Sequence, residues 1–377
     1  MSDAAHVRQC YALIAGGGTS GHVQPALAIA RALVARGHKQ SSVELVGSER
    51  GIEARLVPAA GFELTLLPGR GIQRKLSWQN VKSLGALVVA FGRAWRLVGK
   101  RRPQVVVSVG GYASVPCALA AVLRRVPIVV AEQNAMPGAA NRLVSRFAKA
   151  CAVSFPGTPL PRAVVTGNPV RPEILAIDRA RDGDAARTKL EVGPGRRMIL
   201  IFGGSLGALR INQAALDAAR RWAGRPDLHV RHVVGERDWD QITGAGPPVT
   251  PAAPLRYQAL RYDDDMPTSM AAAEVAVCRS GSSTSFELLA AGLPSVLVPS
   301  PFVTADHQTA NARHMADAGA SVVVPDAELT GARLVDEVDA LLANPGRLAA
   351  MSAAARAAAR PRAADDIAAL VEAHARG

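Results

Sequence analysis

YALIAGGGTSGHVQPALAIARALVAR, residues 11–36, decides the fold. A short apolar run, YALIA, ends in a cluster of glycines. From Pro25 to Arg36 the apolar residues Ala26, Leu27, Ala30, Leu33 and Val34 then recur at helical spacing. Strand, glycine-rich turn and helix in that order begin a βαβ unit of a parallel sheet. Further strands are expected at VELVG (43–47), VVVSVG (105–110), PIVVAE (127–132) and AVVTG (163–167). TGNPVRP (166–172) is a turn-rich hinge, after which the pattern restarts at MILIF (198–202) and continues through HVRHVVG (229–235), AEVAVCR (273–279) and PSVLVP (294–299). MILIFGGSLGALRIN (198–212) repeats the architecture of the first stretch without its sequence. The fold class is therefore α/β, two Rossmann-like doubly wound domains facing a central cleft. The expected divisions are 1–168, 169–350 and a closing segment 351–377, with an Ala-rich helical tail from Leu348 to His374 broken at Pro361.

The chain has 377 residues, a length that calls for two domains rather than one core. Apolar residues make up 49% and aromatics only 4%, a composition of closely packed helices and glycine turns and not of a disordered chain. A formal charge of +13 points to an anionic partner, or to nothing more than an Arg-rich surface. Cys10, Cys117, Cys151 and Cys278 are widely spaced, so neither a zinc knuckle nor a disulfide frame is expected, and a reducing compartment fits. MSDAAHVRQC runs straight into a strand, so no signal peptide is expected, and no apolar run is long enough to span a bilayer.

Gly16, Gly18 and Gly21 fit the G-x-G-x-x-G pattern, in which glycines let the backbone approach a ligand at a helix N-terminus. Glu44 or Glu49 stands near the distance of a ribose-binding acid, so this loop alone leaves a dehydrogenase open. His22 follows the last glycine, where the helix dipole disfavours the protonated ring and keeps it able to accept a proton; a simple helix cap is the competing reading. The second turn, Gly203 to Ala208, offers backbone amides and the Ser205 hydroxyl to a diphosphate. Arg279 to Glu287 clusters hydroxyls at another helix start, with Glu287 suited to two vicinal hydroxyls or, alternatively, to a capping box. Asp306, His307, Gln308 and Thr309 can grip sugar hydroxyls. Asp263, Asp264 and Asp265 have the look of a magnesium-binding triplet but lack a second acidic cluster, so a helix cap is favoured and no metal is expected.

Seven segments in order, GGGTSGHVQPALAIA, SVGGYASVP, AEQNAMPG, GNPVR, FGGSLGALRIN, CRSGSSTSFELLAAGLP and DHQTANA, closely resemble the bacterial MurG family of undecaprenyl-diphospho-muramoylpentapeptide β-N-acetylglucosaminyltransferases. The resemblance covers nearly the whole chain. It implies a GT-B fold, a donor held mainly by the C-terminal domain, and a last helix that returns to the N-terminal domain. It implies that Arg171 and Ser205 face the diphosphate and that Ser282, Ser283, Thr284, Ser285, Phe286 and Glu287 surround phosphate and ribose. By the same likeness the backbone at Asp263 meets uracil, Gln308 meets the sugar, and Thr19, Ser20, Gly21 and Asn134 close over N-acetylglucosamine. Tyr112, Arg74 and Lys75 are expected at the acceptor. Two departures stand out: Thr-Ser-Gly replaces the common Thr-Gly-Gly in the first loop, and the Pro301–Asp306 loop is about one residue short, which loosens the alignment of Gln308 and Thr309.

The family's reaction implies inverting attack by the 4-hydroxyl of a lipid-linked muramoyl pentapeptide on UDP-N-acetylglucosamine. His22 is the candidate base and Glu132 the alternative, unless Glu132 instead orients Asn134 and Tyr112. Two helix N-termini and Arg171 suffice to stabilise departing UDP, so no cofactor is expected. A membrane-anchored acceptor would explain the charge. Within Lys75–Arg102, Trp78, Val81, Leu84, Val88 and Phe91 alternate with Lys75, Lys82, Arg93, Arg96 and Lys100–Arg102, and Arg124, Arg125, Arg142, Arg146 and Lys149 extend the basic surface. That pattern fits the edge of an anionic cytoplasmic leaflet, or an ordinary amphipathic helix. Cell-wall or division proteins are expected as further partners; nucleic acid is not, because aromatics do not interleave as a stacking platform. An epimerase of the same architecture and a non-catalytic UDP-sugar sensor are the rival functions.

Overall fold

Buried β-branched strands organise each half of the chain. The structure is a computed structural model that describes residues 10–17, 20–49, 51–68, 78–204, 207–244 and 246–376, without the side chains of Ser20 and residues 78–84. The chain divides into two compact units, Met1–Val170 with Arg360–Gly377, and Arg171–Ala359.

The first unit runs β1 (Ala12–Gly16), α1 (Ser20–Ala35), β2 (Val43–Ser48), α2 (Glu53–Ala59), β3 (Glu63–Leu67) and α3 (Trp78–Arg101). It continues with β4 (Val105–Gly110), α4 (Ser114–Leu123), β5 (Ile128–Glu132), α5 (Ala139–Val144), β6 (Ala150–Val153) and β7 (Ala163–Val165). All seven strands are parallel, in the order β3-β2-β1-β4-β5-β6-β7. Strands β1, β2, β4 and β5 are buried on both faces, as crossover helices on each side of a parallel sheet require. Helix α1 begins at Ser20, before Pro25, because its core face reaches back to Val23, which is buried with Ala26, Leu27 and Ala30. Pro25 lies inside the helix and leaves one backbone bond unmade.

The second unit opens with α6 (Pro172–Leu175), α7 (Arg179–Lys189), β8 (Arg197–Phe202), α8 (Leu209–Arg221), β9 (Leu228–Val233), α9 (Trp239–Thr243) and β10 (Arg256–Leu260). Then follow α10 (Met266–Ala272), β11 (Ala273–Cys278), α11 (Ser282–Ala291), β12 (Ser295–Leu297), α12 (His307–Asp317), β13 (Ser321–Val323), α13 (Gly331–Leu342) and α14 (Pro345–Ala358). Its six parallel strands take the order β10-β9-β8-β11-β12-β13. In both units the order reverses beside the first strand, so the glycine turns after β1 and β8 stand at topological switch points, where such sheets bind ligands.

Helix α15 (Ala363–His374) belongs to the first unit, where Ile367, Ala368 and Val371 join the core of α1 and β1. Burying Ile367 and Val371 contributes roughly 1.5–3 kcal/mol each. Arg36 reinforces the contact through Asp365 and Glu372, at 2.7 and 2.8 Å. Residue 351, where the sequence reading begins the closing segment, lies inside α14. That helix stays with the second unit because Met351 and Ala355 are buried there and the Ser352 hydroxyl donates to the Gly292 carbonyl at 2.7 Å. All four cysteines are buried thiols.

Candidate active site

In the first unit, Glu132 ends β5 and is 3% exposed. Its Oε1 accepts from the Asn134 backbone N–H (3.0 Å) and side-chain amide (3.4 Å), and its Oε2 from the Gly138 N–H (3.1 Å) and Asn141 Nδ2 (3.0 Å). Asn141, on α5, is held by the Ser108 hydroxyl of β4 at 2.9 Å and donates to the Ala131 carbonyl. The carboxylate thus pins both ends of the segment 133–138. His22 lies in the first turn of α1, partly buried, and its ring reaches the β4–α4 turn. Gly110 there has φ +88°, and a Cβ on it would meet His22 Nε2 at 3.2 Å and Asn141 Nδ2 at 3.3 Å. His22 and the Glu132–Asn141 network therefore converge on one turn. Tyr112, two residues on, is half-buried against the core, its hydroxyl buried and without a hydrogen-bond partner among the described residues, and burial pushes that phenol upward.

In the second unit, α11 is capped by Gly281, which offers no side chain to the helix's first amides. Helical spacing separates the six residues expected around phosphate and ribose. Ser283, Thr284 and Glu287 share the partly exposed face, whereas Ser282, Ser285 and Phe286 are buried. Arg171 Nε donates to Glu287 Oε1 at 2.7 Å. Burial pushes the Glu287 carboxyl above its ordinary value, against the pull of Arg171. Gln308 begins α12 with Oε1 accepting from the Ser300 N–H at 2.8 Å, which orients its NH2 as the remaining donor. The Ser280 hydroxyl and Asn311 side chain stitch this helix to the β11–α11 turn. Asp306 and Thr309 bond each other, and His307 bonds the Thr304 carbonyl.

The acidic triplet diverges. Asp263 is buried in a two-pronged pair with Arg231 of β9, both bonds at 3.2 Å, and accepts from the Ser269 hydroxyl at 2.6 Å. Asp265 caps α10 and pairs with Lys189, while Asp264 is exposed. Glu44, one of the acids weighed for a ribose, is buried instead against Arg101 (2.7 Å) and Thr65 (2.5 Å), and Glu49 pairs with Arg93.

Comparison with known proteins decides the family. The glycosyltransferase family 28 N-terminal domain matches residues 12–153 and its C-terminal domain matches 198–367. A protein of Desulforudis audaxviator named UDP-N-acetylglucosamine--N-acetylmuramyl-(pentapeptide) pyrophosphoryl-undecaprenol N-acetylglucosamine transferase is 40% identical over 369 residues, covering 96% of this chain and 97% of its own. Its namesake in Moorella thermoacetica is 41% identical over 366 residues, covering 94% and 96%. The crystal structure of Acinetobacter baumannii MurG superposes with a TM-score of 0.77 at 30% identity, over 97% of this chain and 99% of that one. The chain belongs to the MurG family, within glycosyltransferase family 28.

For a MurG-family chain the two Rossmann-like units are the expected pair of GT-B domains. Thr19, Ser205, Arg74 and Lys75 lie outside the described residues, as does the side chain of Ser20. The expected residues that are described lie at the C-terminal ends of β1, β4 and β5 in the first unit and, in the second, after β10 (Asp263), β11 and β12, with Arg171 at the start of α6. Sequence reading missed Asn141 and Arg231, the two side chains that hold Glu132 and Asp263. Neither stands in a motif with a chemical signature; only the fold brings each to its partner.

Proposed function

We propose that this chain transfers N-acetylglucosamine from UDP-N-acetylglucosamine to the muramoyl 4-hydroxyl of undecaprenyl-diphospho-muramoylpentapeptide, inverting the anomeric carbon. The observation that carries this reading is the 40% identity, over 96% of the chain, to a transferase named for that donor and acceptor.

His22 is the base that takes the acceptor proton. An imidazole beside the β4–α4 turn suits that task, and general-base catalysis of this kind contributes roughly 10²–10⁴ in rate. Glu132 is better suited to orientation, since four donors already occupy its two oxygens. It sets Asn134, which with Thr19, Ser20 and Gly21 closes over the sugar, while Tyr112, Arg74 and Lys75 meet the acceptor. In the other unit the free amides of α11, with Ser283 and Thr284, hold phosphate. Glu287 takes the ribose hydroxyls and Arg171, tethered to it, faces the diphosphate, joined by Ser205. Asp263 presents its backbone to uracil from a turn fixed by Arg231, and Gln308 gives its NH2 to the sugar. Charge that develops on departing UDP is met by fixed dipoles and Arg171.

The acceptor's lipid places the first unit at the cytoplasmic face of the membrane as a peripheral protein. Among the described residues, no helix is long and apolar enough to cross a bilayer. Exposed Val88, Val89 and Trp95 on α3, Leu119 and Leu123 on α4, and Leu143 and Phe147 at α5 supply an apolar face. Arg96, Arg125, Arg142, Arg146 and Lys149 are exposed beside them. Phe91 turns inward against the core, so α4 and α5 supply apolar groups in its place. Anionic lipid is the matching surface, and proteins of cell-wall synthesis and division are the partners expected there.

Calorimetric titration with UDP tests the donor site: saturable binding that Glu287→Ala and Ser283→Ala weaken is expected. Binding of NADH but not UDP would refute it.

A further inference from the structure

Glu53 opens α2, is 2% exposed, and has no place in the chemistry above. Its Oε1 accepts from the Ser48 N–H (2.9 Å) and hydroxyl (3.2 Å). Three glycines crowd its carboxylate so closely that a side chain on any of them would force the carboxylate to move. A Cβ would lie 2.0 Å from Oε1 if placed on Gly17, 2.2 Å from Cγ if on Gly47, and 1.8 Å from Oε2 if on Gly51. Gly17 presses in turn on the β4–α4 turn, where a Cβ on Gly111 would lie 2.3 Å from the Gly17 carbonyl oxygen. Gly110, the neighbour of Gly111, lies beside the His22 ring, which a Cβ there would meet at 3.2 Å. Carboxylate, first glycine turn, β4–α4 turn and imidazole thus form one unbroken series of contacts.

The second unit repeats the device. Asp238 follows β9 as Glu53 follows β2, in sheets whose first four strands have the same order, and it is 4% exposed. A Cβ on Gly207, in the turn after β8, would lie 2.7 Å from Asp238 Oδ2. That oxygen also accepts from Asn212 Nδ2 of α8 at 3.1 Å. In dinucleotide-binding folds a carboxylate after the second strand reaches outward to a ribose. Both carboxylates here turn inward against a glycine turn.

Resting on the donor and acceptor roles assigned above, we infer that Glu53 and Asp238 are positioning residues, one per unit, each holding the glycine turn that its unit presents to the substrates. The first turn carries His22 as well as residues that close over the donor sugar, whereas the second holds the diphosphate, so the two lesions differ in the balance of kcat against donor KM. Glu53 acts on turnover through the placement of His22, and Asp238 acts on donor binding through the diphosphate turn.

The test is steady-state kinetics of the full chain with UDP-N-acetylglucosamine and a short-chain lipid-linked muramoyl acceptor. Glu53→Ala should lower kcat about 10²-fold, the scale of a 1 Å misplacement, with donor KM raised no more than about fivefold through the sugar contacts of the same turn. Glu53→Gln, which keeps shape and an oxygen toward Ser48, should restore kcat to within about fivefold of the unsubstituted protein. Asp238→Ala should raise donor KM about tenfold with kcat nearly unchanged. If Glu53→Ala does not fold, Gly17→Ala presses on the same carboxylate from the other side and must lower kcat by more than it raises donor KM. The inference is overturned if Glu53→Ala, or Gly17→Ala in its place, keeps full kcat, or if both lesions change kcat and donor KM alike. Failure of the unsubstituted protein to transfer sugar would instead refute the function itself.

Discussion

Replacing Glu132 by Gln changes one oxygen to an NH2 group where both oxygens are acceptors. If the NH2 takes the place of Oε2, it faces the Gly138 N–H and the Asn141 amide; if it takes the place of Oε1, it faces two donors of Asn134. Neither rotamer satisfies the site. The side chain will turn its NH2 toward Asn134, where the contacts are only part-buried and one is the longest of the four at 3.4 Å. Two lost charge-assisted hydrogen bonds would cost about 3–6 kcal/mol, and partial rescue by water leaves a loss of about 2–3 kcal/mol. For a domain of this size that lowers Tm by about 4–12 °C. Scanning calorimetry of Glu132→Gln should therefore show a destabilised transition, with kcat reduced in step with a misplaced 133–138 segment. An unchanged Tm with turnover abolished would refute this reasoning and make Glu132 the base.

Glu287→Gln should raise donor KM by about 10–10²-fold, the value of one or two charge-assisted bonds to ribose hydroxyls. Burial raises the Glu287 carboxyl, and only the ionised form accepts both hydroxyls. Donor affinity is therefore complete above that raised value and lost as pH falls through it, and Glu287→Gln should flatten this acid limb of kcat/KM. Ile367→Ala, in the α15 face buried against the first unit, should cost about 2–5 kcal/mol in denaturant unfolding. Arg125→Glu with Arg146→Glu should weaken sedimentation with anionic vesicles, each basic residue near the surface being worth about 1 kcal/mol. Neutral vesicles should show no such difference.

The central strands were legible because they are apolar runs buried on both faces: VVVSVG, PIVVAE and MILIF need no partner to declare themselves. The strands that escaped were mostly at or near the sheet edges. ELTLL and RYQAL mix polar residues into half-buried edges, SVV is three residues long, and ACAV lacks β-branched bulk. The glycine turns were legible as motifs, but the reason for their glycines was not. Gly17 is small because Glu53, distant in sequence, stands against it, and Gly207 because Asp238 and the Val234 carbonyl both do. Likewise the acidic triplet reads as one cluster in sequence, yet Arg231, Lys189 and solvent draw its members apart. Helical phase could have divided Ser283, Thr284 and Glu287 from the buried Ser285 and Phe286 once the helix start was known.

Incubation of the full chain with labelled UDP-N-acetylglucosamine and a short-chain lipid-linked muramoyl pentapeptide, read by NMR of the product's anomeric centre, tests the central claim most directly. A β-linked disaccharide with stoichiometric release of UDP is the predicted result. An epimerised nucleotide sugar with no disaccharide, or an α-linkage, would contradict it.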